Sequence, residues 1–183
     1  MADQEFGVRL TTTLKSVAQV YRDLRSFYRS VESELREKGW LLAKSTVTKE
    51  DDWVPPAEFF YLFAPNIHEF STAVMIYLNL APPGPLNQPY LLIGKADFDS
   101  SIAVNEVWNN WWGPDSLQVL KQCLDCLEPL ELPENLRKPQ YAPRATKAVA
   151  FAVPLCDIKG LEELKRRVIA GIPKIADSMK TSR

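Results

Sequence analysis

Residues 13–39, TLKSVAQVYRDLRSFYRSVESELREKG, decide the fold class because they contain the clearest periodicity in the chain. Large apolar residues recur there in alternating steps of three and four, which places them on one face of an α-helix. They are Leu14, Val17, Tyr21, Leu24, Tyr28, Val31 and Leu35. The hydroxyls of residues 11–13 are candidate N-caps, and Lys38-Gly39 is a typical C-terminal stop. The sequence therefore predicts a helix over residues 13–38.

The same apolar positions also fit the a and d sites of a coiled coil over three heptads. Val20 and Phe27 add a flanking apolar row, which widens the stripe to the width that a helix needs to cover a sheet. We therefore expect this helix to pack on the core of its own chain. A seam with a second chain is the alternative.

After Gly39 the pattern changes to short segments that are rich in aromatic and β-branched residues, which is typical of strands. The segments are residues 40–47, 58–64, 72–80 and 90–98. Their connections are too short for a crossover helix, so an antiparallel meander is predicted. Apolar residues alternate in the third segment as in a half-buried strand, whereas the second is apolar on both faces and is predicted to be central.

The rest of the chain predicts a helix from Asp115 or Ser116 to Leu127, a strand over residues 148–155 and a last helix from Leu161. The helical crossover before this strand allows a parallel pairing. Gly171 and Pro173 are expected to break or kink the last helix. The fold class is therefore α+β, in a single domain over residues 1–183 with proline-rich loops at about 81–89 and 128–144.

Composition narrows the classes of function. The chain has 22 Lys and Arg against 23 Asp and Glu, and acidic residues alternate with Arg22, Arg25 and Arg29, which argues against a nucleic-acid partner. No apolar run is long enough to cross a membrane. The three cysteines are an odd number and the first residues lack the pattern of a signal peptide. We therefore expect a soluble cytoplasmic protein without a membrane partner.

Common catalytic motifs are absent from the sequence. It contains no G-x-S-x-G, G-x-x-x-x-G-K-[ST] or G-x-G-x-x-G pattern, which argues against nucleotide-binding loops and a nucleophile elbow. The single histidine, His68, follows Pro65-Asn66 in a predicted connection, and no nucleophile motif accompanies it. No cofactor is indicated.

A group of carboxylates beside a lysine offers the best hypothesis for an enzyme. Glu58 begins one predicted strand, while Lys95, Asp97 and Asp99 end another, in which alternation places Lys95 and Asp97 on the same face. Such groups can bind Mg²⁺ and orient a water for hydrolysis. The order of elements is also loosely similar to the core of the PD-(D/E)XK nuclease fold, which implies phosphodiester cleavage. The acidic position of that family's motif, two residues before the lysine, is occupied by Ile93 in this chain.

Two further sets of residues suggest binding. Cys123 and Cys126 have the spacing of zinc ligands, and Cys156 and His68 would have to complete such a site. Trp108, Trp111 and Trp112 lie within five residues, and Trp53 precedes two prolines; tryptophans of this kind are common at recognition surfaces. Buried thiols and core tryptophans are the alternatives.

The sequence favours a non-enzymatic protein-interaction or assembly module that self-associates, using the tryptophans or the first helix as its contact. The alternative is a metal-dependent hydrolase that uses Glu58, Lys95, Asp97 and Asp99.

Overall fold

The order of elements is that of an α+β fold, as the sequence predicted. The computed structural model describes residues 2–48, 58–80, 88–104, 123, 130–131 and 145–177. Its elements are helix α1 (Ala2–Glu37), strands β1 (Leu41–Thr48), β2 (Glu58–Ala64), β3 (Glu69–Asn79), β4 (Tyr90–Ala103), β5 (Leu130–Glu131) and β6 (Ala145–Pro154), a 3₁₀ turn (Leu155–Asp157) and helix α2 (Leu161–Asp177). Apart from Cys123, which is helical, the predicted helix over residues 115–127 lies outside these ranges, and so does most of the loop at 81–89.

The strands form one sheet in the order β1-β2-β3-β4-β6-β5, and every neighbouring pair is antiparallel. The predicted meander of β1 to β4 is confirmed. The suggested parallel pairing of the strand near residue 150 is wrong, because β6 runs antiparallel to β4 with Ile93 opposite Phe151. Two residues of the predicted loop at 128–144 instead form β5 on the edge of the sheet.

One face of the sheet packs against the two helices. The core on this face contains Leu24, Phe27, Tyr28, Val31, Leu35, Trp40, Phe59, Phe63, Val74, Ile76, Leu78, Leu91, Ile93, Phe151, Val153, Leu164, Val168, Ile172 and Ile175. Burial of each large apolar side chain in this way contributes about 1.5–3 kcal/mol to the stability of the fold. We call this the helix face.

The opposite face of the sheet is also buried, and many of its residues are small. Its core includes Ala73, Ala96, Ala148, Ala150 and Ala152 together with larger side chains such as Phe60 and Met75, and Cys123 packs on it. The prediction that the third strand is half-buried is therefore wrong. The alternation of its side chains between two faces is correct, but both faces are covered.

The C-terminal end of α1 follows the sequence signal closely. Gly39 has a φ of 83°, in the left-handed region that favours glycine. The Trp40 N–H donates to the Leu35 carbonyl at 2.9 Å and the Gly39 N–H donates to that of Arg36 at 2.9 Å, which is a Schellman arrangement. The chain thereby leaves the helix and enters β1 at once.

The beginning of α1 differs from the prediction, because the helix starts at Ala2 and not at residue 13. The hydroxyls of Thr11, Thr12 and Thr13 do not cap a helix. Each donates to the carbonyl four residues earlier, at 2.9–3.0 Å. Threonine can satisfy its hydroxyl in this way within a helix, so the three threonines do not mark a boundary.

Helix α2 continues through Gly171 and Pro173, where the sequence predicted a break or kink. Gly171 lies over the ring of Phe151 on β6, and a Cβ atom added to it would lie 2.7 Å from Cε1 of that ring. The glycine therefore allows close packing of the helix on the sheet. No described helix is long and apolar enough to cross a membrane.

Candidate functional site

The four residues of the hydrolase hypothesis do not lie together. Glu58 pairs with Asn79 at one end of β2, whereas Lys95 is in register with Val74 and, through it, with Phe63. Five residues of strand, about 17 Å, therefore separate Glu58 from the level of Lys95. Since 58 and 63 differ by an odd number, Glu58 also projects from the opposite face of the sheet.

Glu58 belongs to a small polar network on the face of the sheet opposite α1 and α2. The Tyr77 hydroxyl donates to Glu58 Oε1 at 2.7 Å, and Asn79 Nδ2 donates to the same oxygen at 3.1 Å. Burial first, and then the bond to Glu58, raises the pKa of the Tyr77 phenol, so it remains a neutral donor. This network ties the ends of β2 and β3 together.

Lys95 and Asp97 share the helix face of β4, as the alternation predicted. Lys95 is 7% exposed, and its Nζ lies 5.6 Å from the ring centre of Trp40, where a cation is attracted by the aromatic face. Asp97 is half-buried and Asp99 is exposed. The Asp99 carboxylate accepts a hydrogen bond from Ser100.

The zinc hypothesis depends on residues that the fold separates. His68 lies beside the end of β4, since the Val104 N–H donates to its carbonyl, whereas Cys156 follows β6 beside the beginning of β4. Cys123 is buried and Cys156 is exposed, with its Sγ 3.2 Å from Gln88 Oε1. Cys126 lies outside the described residues. Within the described ranges, no three His, Cys, Asp or Glu residues are grouped as metal ligands.

The tryptophans proposed as a binding surface, Trp53, Trp108, Trp111 and Trp112, lie outside the described residues. The described tryptophan, Trp40, is buried under α1 and next to Lys95. The tryptophan surface thus stays a prediction.

Among the described residues, the N-terminal half of α1 carries most of the large apolar side chains that are exposed. From Leu24 onward the helix buries its apolar side chains, whereas Phe6 is 68%, Leu10 48%, Leu14 60% and Val20 46% exposed. About 20 residues, or about 30 Å of helix, thus extend beyond the part that packs on the sheet. We call Phe6, Leu10, Leu14, Val17 and Val20 the projecting stripe. Within the described ranges, no part of the chain covers it.

The projecting stripe continues the buried stripe without a change of phase. Leu14 is at an a site and Val17 at a d site, and Leu10 is at the preceding d site. The a and d sites that follow are Tyr21, Leu24, Tyr28, Val31 and Leu35. One continuous helical face is therefore core in its second half and exposed in its first half. The predicted core packing is correct for residues 24–35 and does not hold for Leu14.

The sides of the projecting stripe are uncharged. The e and g sites between residues 6 and 20 are Phe6, Thr11, Thr13, Ala18 and Val20. The charged residues of this segment lie on the other side of the helix, where Arg9 pairs with Glu5. A second helix could approach the stripe from either side without meeting a charge.

An aromatic groove lies where the projecting stripe meets the folded domain. It has a volume of about 430 Å³ and is lined by Tyr21, Leu24, Arg25, Tyr28, Arg29, Glu32, Phe59 and Tyr61. The rings of Tyr28 and Tyr61 stack with their centres 3.9 Å apart, and those of Tyr21 and Phe59 are 5.9 Å apart. The groove is thus apolar in its floor and charged at its rim.

The hydroxyl of Tyr28 is buried in this groove and has no hydrogen-bond partner among the described residues. Burial, and then the neighbouring Tyr61, raises the pKa of Tyr28 well above its usual value, so the phenol stays neutral. A buried hydroxyl without a hydrogen-bond partner lowers the free energy of unfolding by about 1–3 kcal/mol. A group from outside the described chain that bonded to it would recover part of that cost.

Gly7 is unusual within α1. A Cβ atom added there would have no atom within 4 Å, so no contact in the described chain requires a glycine. Glycine inside a helix costs about 1 kcal/mol relative to alanine. Gly7 lies at the a site that precedes Leu10, on the face of the projecting stripe.

Phe6, Gly7 and Leu10 were outside the site predicted from the sequence, because residues 11–13 were interpreted as the start of the helix. Their spacing of three and four continues that of the later apolar residues, and this signal was available. The groove was not predictable, since it combines α1 with β2 across the fold.

The comparisons with known proteins give no relative for this chain: no family model, no curated protein and no solved structure matches it.

Proposed function

We propose that this protein is a non-enzymatic assembly module that self-associates through the projecting stripe of α1. The observation that carries the proposal is the exposure of Phe6, Leu10 and Leu14 on a helical face whose continuation is core. Apolar patches on a surface mark interaction sites, and a helix that leaves its domain gains little tertiary support. A partner that covers the stripe would stabilise both the side chains and the helix.

A second copy of the chain is the partner that the charge pattern favours. Charges beside the contact between two identical helices have to be arranged so that they do not repel. The uncharged sides of the stripe avoid this problem. Glu58 projects from the face of the sheet opposite Lys95 and Asp97, so these residues do not favour a hydrolase as a second function.

Analytical ultracentrifugation of the wild-type protein and of two glutamate variants tests the proposal. We expect the wild-type protein to be a dimer and Leu14→Glu to be a monomer, because its dimer would bury two unpaired carboxylates in an apolar seam. The expected rise of the dissociation constant is at least about 100-fold, or about 2.7 kcal/mol.

Thr12→Glu is the matched control. Thr12 is exposed on the side of α1 away from the stripe, and its hydroxyl bonds to the Val8 carbonyl of its own helix. This variant adds the same charge two residues away and is expected to remain a dimer. A monomeric wild-type protein, or equal effects of the two substitutions, would contradict the proposal.

A further inference from the structure

We propose that two copies pair their α1 helices antiparallel, so that the partner's first turns lie in the aromatic groove at Tyr21, Tyr28, Phe59 and Tyr61. This inference rests on the proposed self-association and assigns the groove an occupant. Its evidence is the position of the folded domain, the glycine at position 7, the buried hydroxyl of Tyr28 and the size of the contact.

The position of the domain excludes a parallel pair. The stripe that is exposed before Tyr21 is the same face that packs on the sheet after Leu24. A partner helix on this face therefore points toward its neighbour's folded domain. In a parallel pair both domains would follow the same end of the seam and would occupy the same space. In an antiparallel pair they lie at opposite ends.

The antiparallel register follows from the heptad sites, because a sites face d sites in such a pair. With Leu14 opposite the partner's Val17, Leu10 lies opposite the partner's Tyr21 and Gly7 opposite the partner's Leu24. The partner's Leu24 and Tyr21 both line its groove. When Leu14 packs on the partner's Val17 at the centre of the seam, the turn that contains Phe6 and Gly7 therefore lies at the partner's groove.

Gly7 fits this register. It would lie where its helix crosses Leu24 and the rim of the groove, and a missing side chain lets the two backbones approach there. No neighbour within the described chain accounts for this glycine. Phe6, one residue earlier and 68% exposed, would place its ring against the aromatic floor.

The groove also offers the incoming turn a polar contact. The Tyr28 hydroxyl, which has no partner in the described chain, would lie beneath the incoming turn.

The size of the contact supports the use of the groove. A stable interface buries about 800 Å² on each partner. The projecting stripe is one helix wide and about 21 Å long from Phe6 to Val20, which is small for such an interface. Filling the groove at each end of the seam adds two aromatic contacts.

Disulfide trapping tests the direction of the helices. In a background with Cys126→Ser and Cys156→Ser, a mixture of Leu14→Cys and Val17→Cys is expected to give a mixed disulfide, identified by mass spectrometry of the linked peptides. Leu10→Cys alone should give little covalent dimer, because the two residues 10 would be about 16 Å apart along the seam. Rapid disulfide formation by Leu10→Cys would show a parallel pair and overturn the inference.

Phe6→Ala tests the occupant of the groove, with Val8→Ala as the matched control. Both side chains are more than 60% exposed in the single copy, so neither substitution should disturb its fold. Phe6→Ala is expected to raise the dissociation constant of the dimer at least 10-fold, and Val8→Ala to leave it unchanged. If Leu14→Glu abolishes the dimer but Phe6→Ala does not weaken it, the groove has another role and the proposed function stands. A monomeric wild-type protein overturns both.

Discussion

At the scale of single residues, the contact between Gly171 and Phe151 shows why a helix can contain a glycine that its own sequence disfavours. The glycine brings α2 close to the sheet, and the ring of Phe151 is 6% exposed. The sequence pattern indicated a break because it contains no information on what lies beneath the helix. The cost in helix propensity is offset by the packing of helix on sheet.

Gly171→Ala is therefore expected to destabilise the protein, although alanine is the better helix former. Overpacking of a core lowers the free energy of unfolding by about 1–3 kcal/mol. The higher helix propensity of alanine, worth about 1 kcal/mol, offsets part of this loss. Denaturant unfolding measures the difference. The double variant with Phe151→Leu should lose less than the sum of the two single variants, and a Gly171→Ala protein more stable than wild type would contradict this account.

Glu163 stabilises the beginning of α2 through two bonds. Its Oε2 accepts the Lys159 N–H at 2.9 Å, and its Oε1 accepts Arg167 Nη2 at 2.7 Å. The bond from the Lys159 N–H, followed by that from Arg167, lowers the pKa of the Glu163 carboxyl below its usual value. The ionised form thus favours the folded state.

We expect Glu163→Gln to lower stability at neutral pH. The pKa of Glu163 is lower in the folded state than in the unfolded state. Its contribution to the free energy of unfolding is therefore complete above the pKa of the unfolded state, and it is lost as the pH falls through the pKa of the folded state. The difference between wild type and variant should therefore shrink in acid. Thermal melts from neutral to acidic pH measure it, with the highly exposed Glu162→Gln as control; a difference that is constant with pH would contradict this role.

The arrangement of the predicted carboxylate site could be predicted within one strand but not between strands. Alternation along one strand placed Lys95 and Asp97 on the same face correctly, because that relation is local. Whether Glu58 joins them depends on the register between three strands, which single-strand patterns do not contain. The register in fact divides them between faces.

At the scale of elements, α1 is one helix with two environments. Its end was predictable, because Lys38-Gly39 is a strong stop and Gly39 adopts a positive φ. Its beginning was not, because the three threonines bond to their own helix. Propensity and capping describe the helix locally, but only the fold shows which part of the apolar face is covered.

Gly7→Ala separates the effect of residue 7 on helix stability from its effect on dimerisation. In the monomeric Leu14→Glu background, alanine is expected to raise helicity, measured by circular dichroism, since it removes a glycine from a helix. In the otherwise wild-type chain it is expected to weaken the dimer, because a Cβ atom would enter the close contact with the partner's Leu24. Tighter association of Gly7→Ala would show that no close contact exists there.

The strands were predicted better than their pairing. Residues 58–64 were placed as they are found, while β4 extends to Ala103 and β6 begins at Ala145. Antiparallel pairing of β6 depends on the path of residues 105–144, which local patterns do not determine. On the exposed edge, β1 carries Lys44 and an irregularity between Leu42 and Lys44, both of which hinder further strand pairing.

At the scale of the whole molecule, both faces of the sheet are buried, and among the described residues the apolar stripe of α1 extends beyond this core. An antiparallel pair of α1 helices is related by a two-fold axis across the seam, so both stripes are used and the assembly closes at two copies. The folded domains would then stand at opposite ends of the paired helices.

Amide hydrogen exchange of α1 tests the central claim most directly. A helix of about 20 residues without tertiary support is marginally stable, so its amides exchange rapidly. We predict that residues 8–20 of the wild-type protein are protected, that Leu14→Glu removes this protection, and that residues 27–35 are unaffected by the substitution. Equally rapid exchange of residues 8–20 in both proteins, at concentrations where the dimer is expected, would contradict self-association through the projecting stripe.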